Sequence, residues 1–217
     1  MRTTNLMVAV AAAVLAAGCA TSGGPRSNES IEITETKSAY RLSVPVSQLA
    51  LTLPRGNWSR KDKSALGGGT ANPRYFYFED AKEESLILSG WFEPDRLFSG
   101  SAAKQWERDA AGLKRTKLPQ PVNVAFEKIG GWDTVLYDQV FSGAVSSHLR
   151  AHWVQAGTWI DIHISTTSDS SSAENRKKLR ALLRGISVVE KGSGCPSARC
   201  SAQRAADAPR ALALNGP

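Results

Sequence analysis

The longest apolar run of the 217-residue chain, residues 6–17, falls short of the roughly 20 residues that a membrane-crossing helix needs. No G-x-S-x-G, H-E-x-x-H, G-x-G-x-x-G or acidic calcium-loop pattern occurs, so nothing argues for a nucleophile elbow, a zinc protease, a dinucleotide fold or an EF-hand. Internal repeats are absent. Histidine is scarce, and all three copies, His148, His152 and His163, fall within one short stretch. Cysteine is equally scarce, at Cys19, Cys195 and Cys200. The triple glycine Gly67-Gly68-Gly69 lacks the following lysine and the strand-to-helix context of a phosphate loop, and reads as a flexible segment.

The N-terminus is more informative. Arg2 precedes the apolar run, which ends in Leu15-Ala16-Ala17-Gly18-Cys19. Charge, apolar run and small residues follow the order of a secretory leader. The small residues let the chain lie extended in a protease cleft and place the Cys19 thiol for acylation. The stretch resembles the lipobox of bacterial lipoproteins. That resemblance implies cleavage before Cys19, a diacylglyceryl thioether on its sulfur and an acyl group on the new amine. Each buried CH₂ then adds roughly 0.8 kcal/mol of membrane affinity, so the expected protein is anchored to a membrane and does not span it. In such lipoproteins an aspartate after the cysteine often marks inner-membrane retention. Here Ala20 follows, which resembles the outer-membrane-sorted kind, facing the periplasm.

The expected organisation is a signal peptide over 1–18, a small-residue polar tether over 19–30, one domain over 31–190 and a disordered tail over 191–217. With Cys19 acylated, Cys195 and Cys200 remain as a candidate disulfide in an oxidising compartment, its short loop contributing roughly 2 kcal/mol. A redox or metal role for them lacks a C-x-x-C spacing. Loss of 1–18 removes Arg2, so the formal charge falls by one from +7 to +6. Basic clusters at Lys114-Arg115 with Lys117 and at Arg176-Lys177-Lys178 read as solvated helix ends that would feel nearby anionic lipid or polymer. The expected partners are the membrane, through the anchor, and another envelope protein. Nucleic acid is excluded by the leader, and no cofactor is expected.

Periodicity gives the fold class. Alternation over 31–46 reads as one or two strands and 48–54 as a half-buried strand. Tyr75 to Phe78 and Ser85 to Phe92 read as an antiparallel pair joined by a charged turn. Ala103, Trp106, Ala110 and Leu113 recur at helical spacing, with Ser99 or Ser101 as cap. Val122, Val124 and Phe126 fall on one face of a strand that turns at Gly130-Gly131. Ser171 and Glu174 form a capping box before a helix with the stripe Leu179, Leu182, Leu183, Ile186. Seven to nine strands with few helices predict an α+β fold, a twisted antiparallel sheet of about seven strands with helices packed on it. The order LTLPRGNW, hairpin, helix with a basic turn, then AHWVQAGTWIDIHIST and a last helix resembles the PsbP-like fold. That resemblance implies a non-enzymatic module that docks onto or stabilises protein assemblies, and transfers no binding residues.

The stretch 148–164 carries the remaining chemistry. A hairpin tip at Ala156-Gly157 sets Gln155 opposite Thr158 and makes every later opposed pair sum to 313. Leu149, Ala151, Trp153, Ile160, Ile162 and Ile164 then share a core face, and His148, Arg150, His152, Asp161 and His163 share the polar one. His152, Asp161 and His163 form a candidate metal site, since zinc needs nitrogen and oxygen donors converging on one point. The competing reading is a polar face on which His152 and Asp161 share a cross-strand hydrogen bond. Trp58 and its basic loop offer a second candidate, a platform for envelope polymer. Glu93 and Asp95, though close enough for a two-carboxylate reading, are better explained as a turn before a helix.

Overall fold

A computed structural model describes residues 29–61, 72–83 and 85–191. Cys19, Cys195, Cys200 and Gly67–Gly69 lie outside the described residues, as do the leader, most of the tether and the tail. The fold is α+β. Seven strands form one antiparallel sheet and four a second.

Strands β1 (Glu32–Glu35), β2 (Ala39–Ser43) and β3 (Leu49–Pro54) make a meander. The short β4 (Trp58–Arg60) crosses to the edge of the large sheet beside β5 (Tyr75–Asp80), which pairs with β6 (Ile87–Pro94). A 3-10 turn over Asp95–Leu97 leads to helix α1 (Ala102–Leu113). Then come β7 (Val122–Ile129), β8 (Trp132–Phe141), β9 (Ala144–Gln155) and β10 (Thr158–Ser168), followed by α2 (Ser172–Gly185) and β11 (Ser187–Glu190). The large sheet runs β4-β5-β6-β10-β9-β8-β7 and the small one β1-β2-β3-β11. The small sheet was not legible as separate: its strands alternate just as those of the large one do.

Leucines at 42, 49, 51 and 53 of the small sheet, the inward residues of β5, β6 and β8–β10, and Leu179 and Leu183 of α2 share one core. One face of the large sheet is thus covered by α2 and the small sheet, and burial of such side chains contributes roughly 1.5–3 kcal/mol each. The apolar stripe of α2 faces this core as its spacing predicts, and both halves of the capping box at Ser171 and Glu174 are formed. Beside its first turn the buried Asp138 accepts from Ser147, Ser172, Asn123 and both Nε and Nη2 of Arg176, tying β7, β8, β9 and α2 together. Gly90 is required where β6 meets β10, because a Cβ there would stand 2.2 Å from the Asp161 carbonyl oxygen.

Helix α1 lies on the opposite face and departs from its expected orientation. Ser101 caps it, accepting from the Lys104 amide. Ala103 is exposed, whereas Ala102 and Gln105 are buried and Asp109 points at the sheet. Of the expected stripe, Trp106 packs on Tyr137 and Ala110 and Leu113 are half-buried, so the helix is turned only enough to set Ala102, Gln105 and Asp109 against the polar surface in place of Ala103. Edge strand β7 also departs from strict alternation: its register shifts between Val122 and Ala125, where Asn123 adopts φ 54°, a bulge.

Candidate functional site

The histidine hairpin has the expected register. Gln155 opposes Thr158, Asp161 opposes His152 and His163 opposes Arg150, around a tip whose Ala156 and Gly157 both have positive φ. The neighbouring strands extend this into rows. Tyr75, Trp91, Asp161, His152 and Asp133 lie in one row, and Tyr77, Ser89, His163, Arg150 and Val135 in the next. The third holds Ser165, His148 and Tyr137. These polar residues do not face solvent. His152 is 2% exposed and Asp161 1%, because α1 and the segment before it lie over them. Phe98 packs against the rings of His152 and Trp159, and Trp106 against Tyr137.

Arg150 organises the cluster. Its Nη1 donates to Asp109 at 2.5 Å and its Nη2 to Asp161 at 2.6 Å, while its guanidinium stands 5.8 Å from the Trp91 ring centroid. Asp109 comes from α1, so this fork pins the helix to the sheet. Burial alone would raise the Asp161 carboxyl, but Arg150 and then His152 outweigh it and hold it at about 2. Asp109 goes the other way: burial outweighs Arg150 and pushes its carboxyl up. Asp161 is therefore the firm anion of the pair.

His152 Nδ1 accepts from Trp159 Nε1 at 3.3 Å and stands 3.3 Å from Asp161 Oδ1. The latter is ion-pair range without hydrogen-bond alignment, since Oδ1 makes no hydrogen bond; Arg150 Nε and His152 Nε2 are likewise buried without one. The cross-strand hydrogen bond expected between His152 and Asp161 is thus replaced by bonds from Trp159 to the ring and from Arg150 to the carboxylate.

His163 turns to the third row. Its Nε2 meets His148 Nδ1 at 3.1 Å, His148 Nε2 meets Ser146 Oγ at 3.0 Å, and Thr167 donates to Ser146. Burial holds His148 down at about 4, helped by Arg150 and opposed by Asp138. Burial, then His148 and Arg150, holds His163 well below the ordinary range. Both shifts favour the neutral rings, and the 3.1 Å contact needs one nitrogen to donate its proton to the unprotonated nitrogen of the other. Tyr137 stacks on His148 at 4.6 Å, its own hydroxyl raised to about 12 by burial.

His152, Asp161 and His163 are therefore neighbours in the sheet without converging. His163 bonds to His148, and Asp161 is taken by Arg150. Among the described residues no group of three or more His, Cys, Asp or Glu side chains is placed to hold a metal ion. The polymer platform also changes: Trp58 is only 9% exposed, its ring packed on Phe78 and its carbonyl accepting from Tyr40. The turn reading holds for the exposed Asp95, which opens the 3-10 turn, but Glu93 is a residue of β6, paired with Trp159 in the ladder and with Arg74 through its side chain. Near them a recess of about 140 Å³, bordered by Arg74, Glu93, Ser47 and Thr158, opens at the end of the large sheet.

Asp109 and the fork on Arg150 are not among the site residues expected from the sequence. A signal was there: Asp109 sits inside the apolar stripe of α1, between Trp106 and Leu113, where a carboxylate needs a partner.

No family model and no curated protein matches the chain. Among solved structures, a crystal structure from Bacteroides thetaiotaomicron VPI-5482 is similar at 13% identity and a TM-score of 0.37, over 67% of this chain and 46% of that one. This chain thus matches less than half the length of that protein, and a likeness at this level bears on neither activity nor partner.

Proposed function

We propose that the protein is a lipid-anchored lipoprotein of the bacterial cell envelope, outer-membrane sorted, whose folded body is a binding or assembly-supporting module and not an enzyme. The observation that carries this reading is the ordered run of Arg2, residues 6–17 and LAAGC ending at Cys19. The interior is consistent with it. The groups able to do acid–base chemistry face one another beneath α1, with Arg150 held between two carboxylates and two imidazoles sharing one hydrogen bond. The PsbP-like order of elements points the same way.

Expression of the full chain in a Gram-negative host with labelled palmitate tests the anchor. The wild-type protein is expected to take up label and sediment with membranes, and Cys19→Ser to do neither. Unlabelled wild-type protein free in the soluble fraction sinks the reading.

A further inference from the structure

Basic and apolar side chains gather on one side of the body. Residues 102–128 carry six exposed cations, Lys104, Arg108, Lys114, Arg115, Lys117 and Lys128, none of them in an ion pair among the described residues. Of the three acidic residues in the same segment, Asp109 is taken by Arg150 and Glu127 by Arg180, which leaves Glu107 alone. Apolar side chains accompany the cations on edge strand β7: Val122, Val124 and Phe126 are 41%, 39% and 50% exposed. Phe126 opposes Val135, which opposes Arg150, and Arg150 holds Asp109 of α1. Phe126 therefore projects on the same face of the sheet as α1, and the exposed Val124 lies two residues before it, toward the basic turn that links the helix to β7.

We propose that the surface formed by α1, the turn after it and β7 docks onto an anionic lipid bilayer. The proposal deepens the lipid-anchored reading and rests on it. A soluble body can hold cations against water or apolar side chains against its own core, but a surface offering both outward matches a negatively charged interface with an apolar layer beneath it. A strand from another protein is the poorer fit to this edge. The Asn123 bulge interrupts the ladder, and Arg176 already occupies the Asn123 carbonyl. An anchor on Cys19 would hold the body at the bilayer already, so a modest intrinsic affinity suffices to lay this face down.

The test uses the chain from residue 20 onward, which keeps every described residue and the whole core. It is mixed with phosphatidylcholine vesicles with or without phosphatidylglycerol. Co-sedimentation is expected only with the anionic vesicles and is expected to weaken as salt rises. Replacing Lys114, Arg115 and Lys117 by Gln should lower partitioning about 100-fold, at about fivefold per cation near the surface. Phe126→Ser with Val124→Ser should lower the portion that survives high salt. Unchanged urea midpoints show that these exposed substitutions leave the fold intact. Absence of binding to anionic vesicles, or binding indifferent to the Gln variant, overturns the proposal. So does a concentration-dependent dimer lost in Phe126→Ser, which would assign the surface to a second copy. Palmitate labelling of Cys19 in cells separates the two ideas: label without vesicle binding removes the docking surface alone, and vesicle binding without label removes the anchor alone.

Discussion

Replacing Arg150 by Met removes the one cation that two carboxylates share. Asp161 Oδ2, which accepts from Nη2 at 2.6 Å, would be left charged at a site 1% exposed, with only His152 Nδ1 at 3.3 Å on its other oxygen. Asp109, on the margin of α1, would lose its 2.5 Å contact but keeps some access to water. Breaking a buried pair by removing one partner costs about 3–5 kcal/mol, because the remaining charge is uncompensated. Asp161 should account for most of that. Removing both deeply buried charges is a different perturbation: Arg150→Met with Asp161→Leu leaves only Asp109, which keeps some access to water, without its cation, and well-packed apolar replacements of buried ion pairs are often neutral. The double variant is thus expected within about 1–2 kcal/mol of wild type, less stable than it but more stable than the single. Urea unfolding followed by far-UV circular dichroism measures all three. In the single variant α1 should also loosen first, seen as faster amide exchange over 102–113. A single variant costing under about 1 kcal/mol, or a double variant as damaged as the single, would refute the orphaned-charge reasoning.

Acid should unfold the body in a definite window. His148 titrates at about 4 in the folded state against about 6.5 unfolded, so the unfolded chain binds the extra proton between those values. Its contribution of roughly 3 kcal/mol is present above about pH 6.5 and is lost as pH falls to about 4. His163 acts in the same sense and Asp109 in the opposite one; Asp161 adds its loss only as pH falls from about 3.9 toward about 2. Stability measured against pH should rise most steeply between 4 and 6.5 in wild type, and a His148→Gln variant with an equally steep rise would contradict the assignment. Asp138→Ala should cost at least about 2 kcal/mol by leaving the half-buried Arg176 without its anion and Ser147, Ser172 and Asn123 without their acceptor, detectable as a lowered urea midpoint, while an unchanged midpoint rejects the clamp. Gly90→Ala should cost at least about 2 kcal/mol or abolish folding, since the Cβ would have to displace the backbone of β10, and near-wild-type stability would show that β6 and β10 separate readily.

The hairpin at 144–168 was legible because a two-residue turn and a period of two leave one register open, and that register set five polar side chains on one face. The environment of that face was not legible. Alternation distinguishes two sides of a sheet, yet it does not say that a helix from elsewhere in the chain will close over the polar one. Asp109 and Arg150 are 41 residues apart, and only the packing angle of α1 brings them together. Trp58 was misjudged for a related reason. Its neighbours in sequence are polar and basic, whereas its neighbour in space is Phe78. Helix α2 was read with its cap and stripe intact because both signals are local.

The small sheet has a consequence for how this polypeptide becomes a folded object. β11 zips onto β3, with Ser187 beside Thr52 and Glu190 beside Leu49, so the strand made last completes the layer begun first. Until that final segment is free to move, the leucines of β2 and β3 lack one flank of their shelter, and the loop to be closed is nearly the whole body. In a chain wired in this way the last strand pairing joins the two ends of the body, so the layer closes only through a contact of long sequence separation.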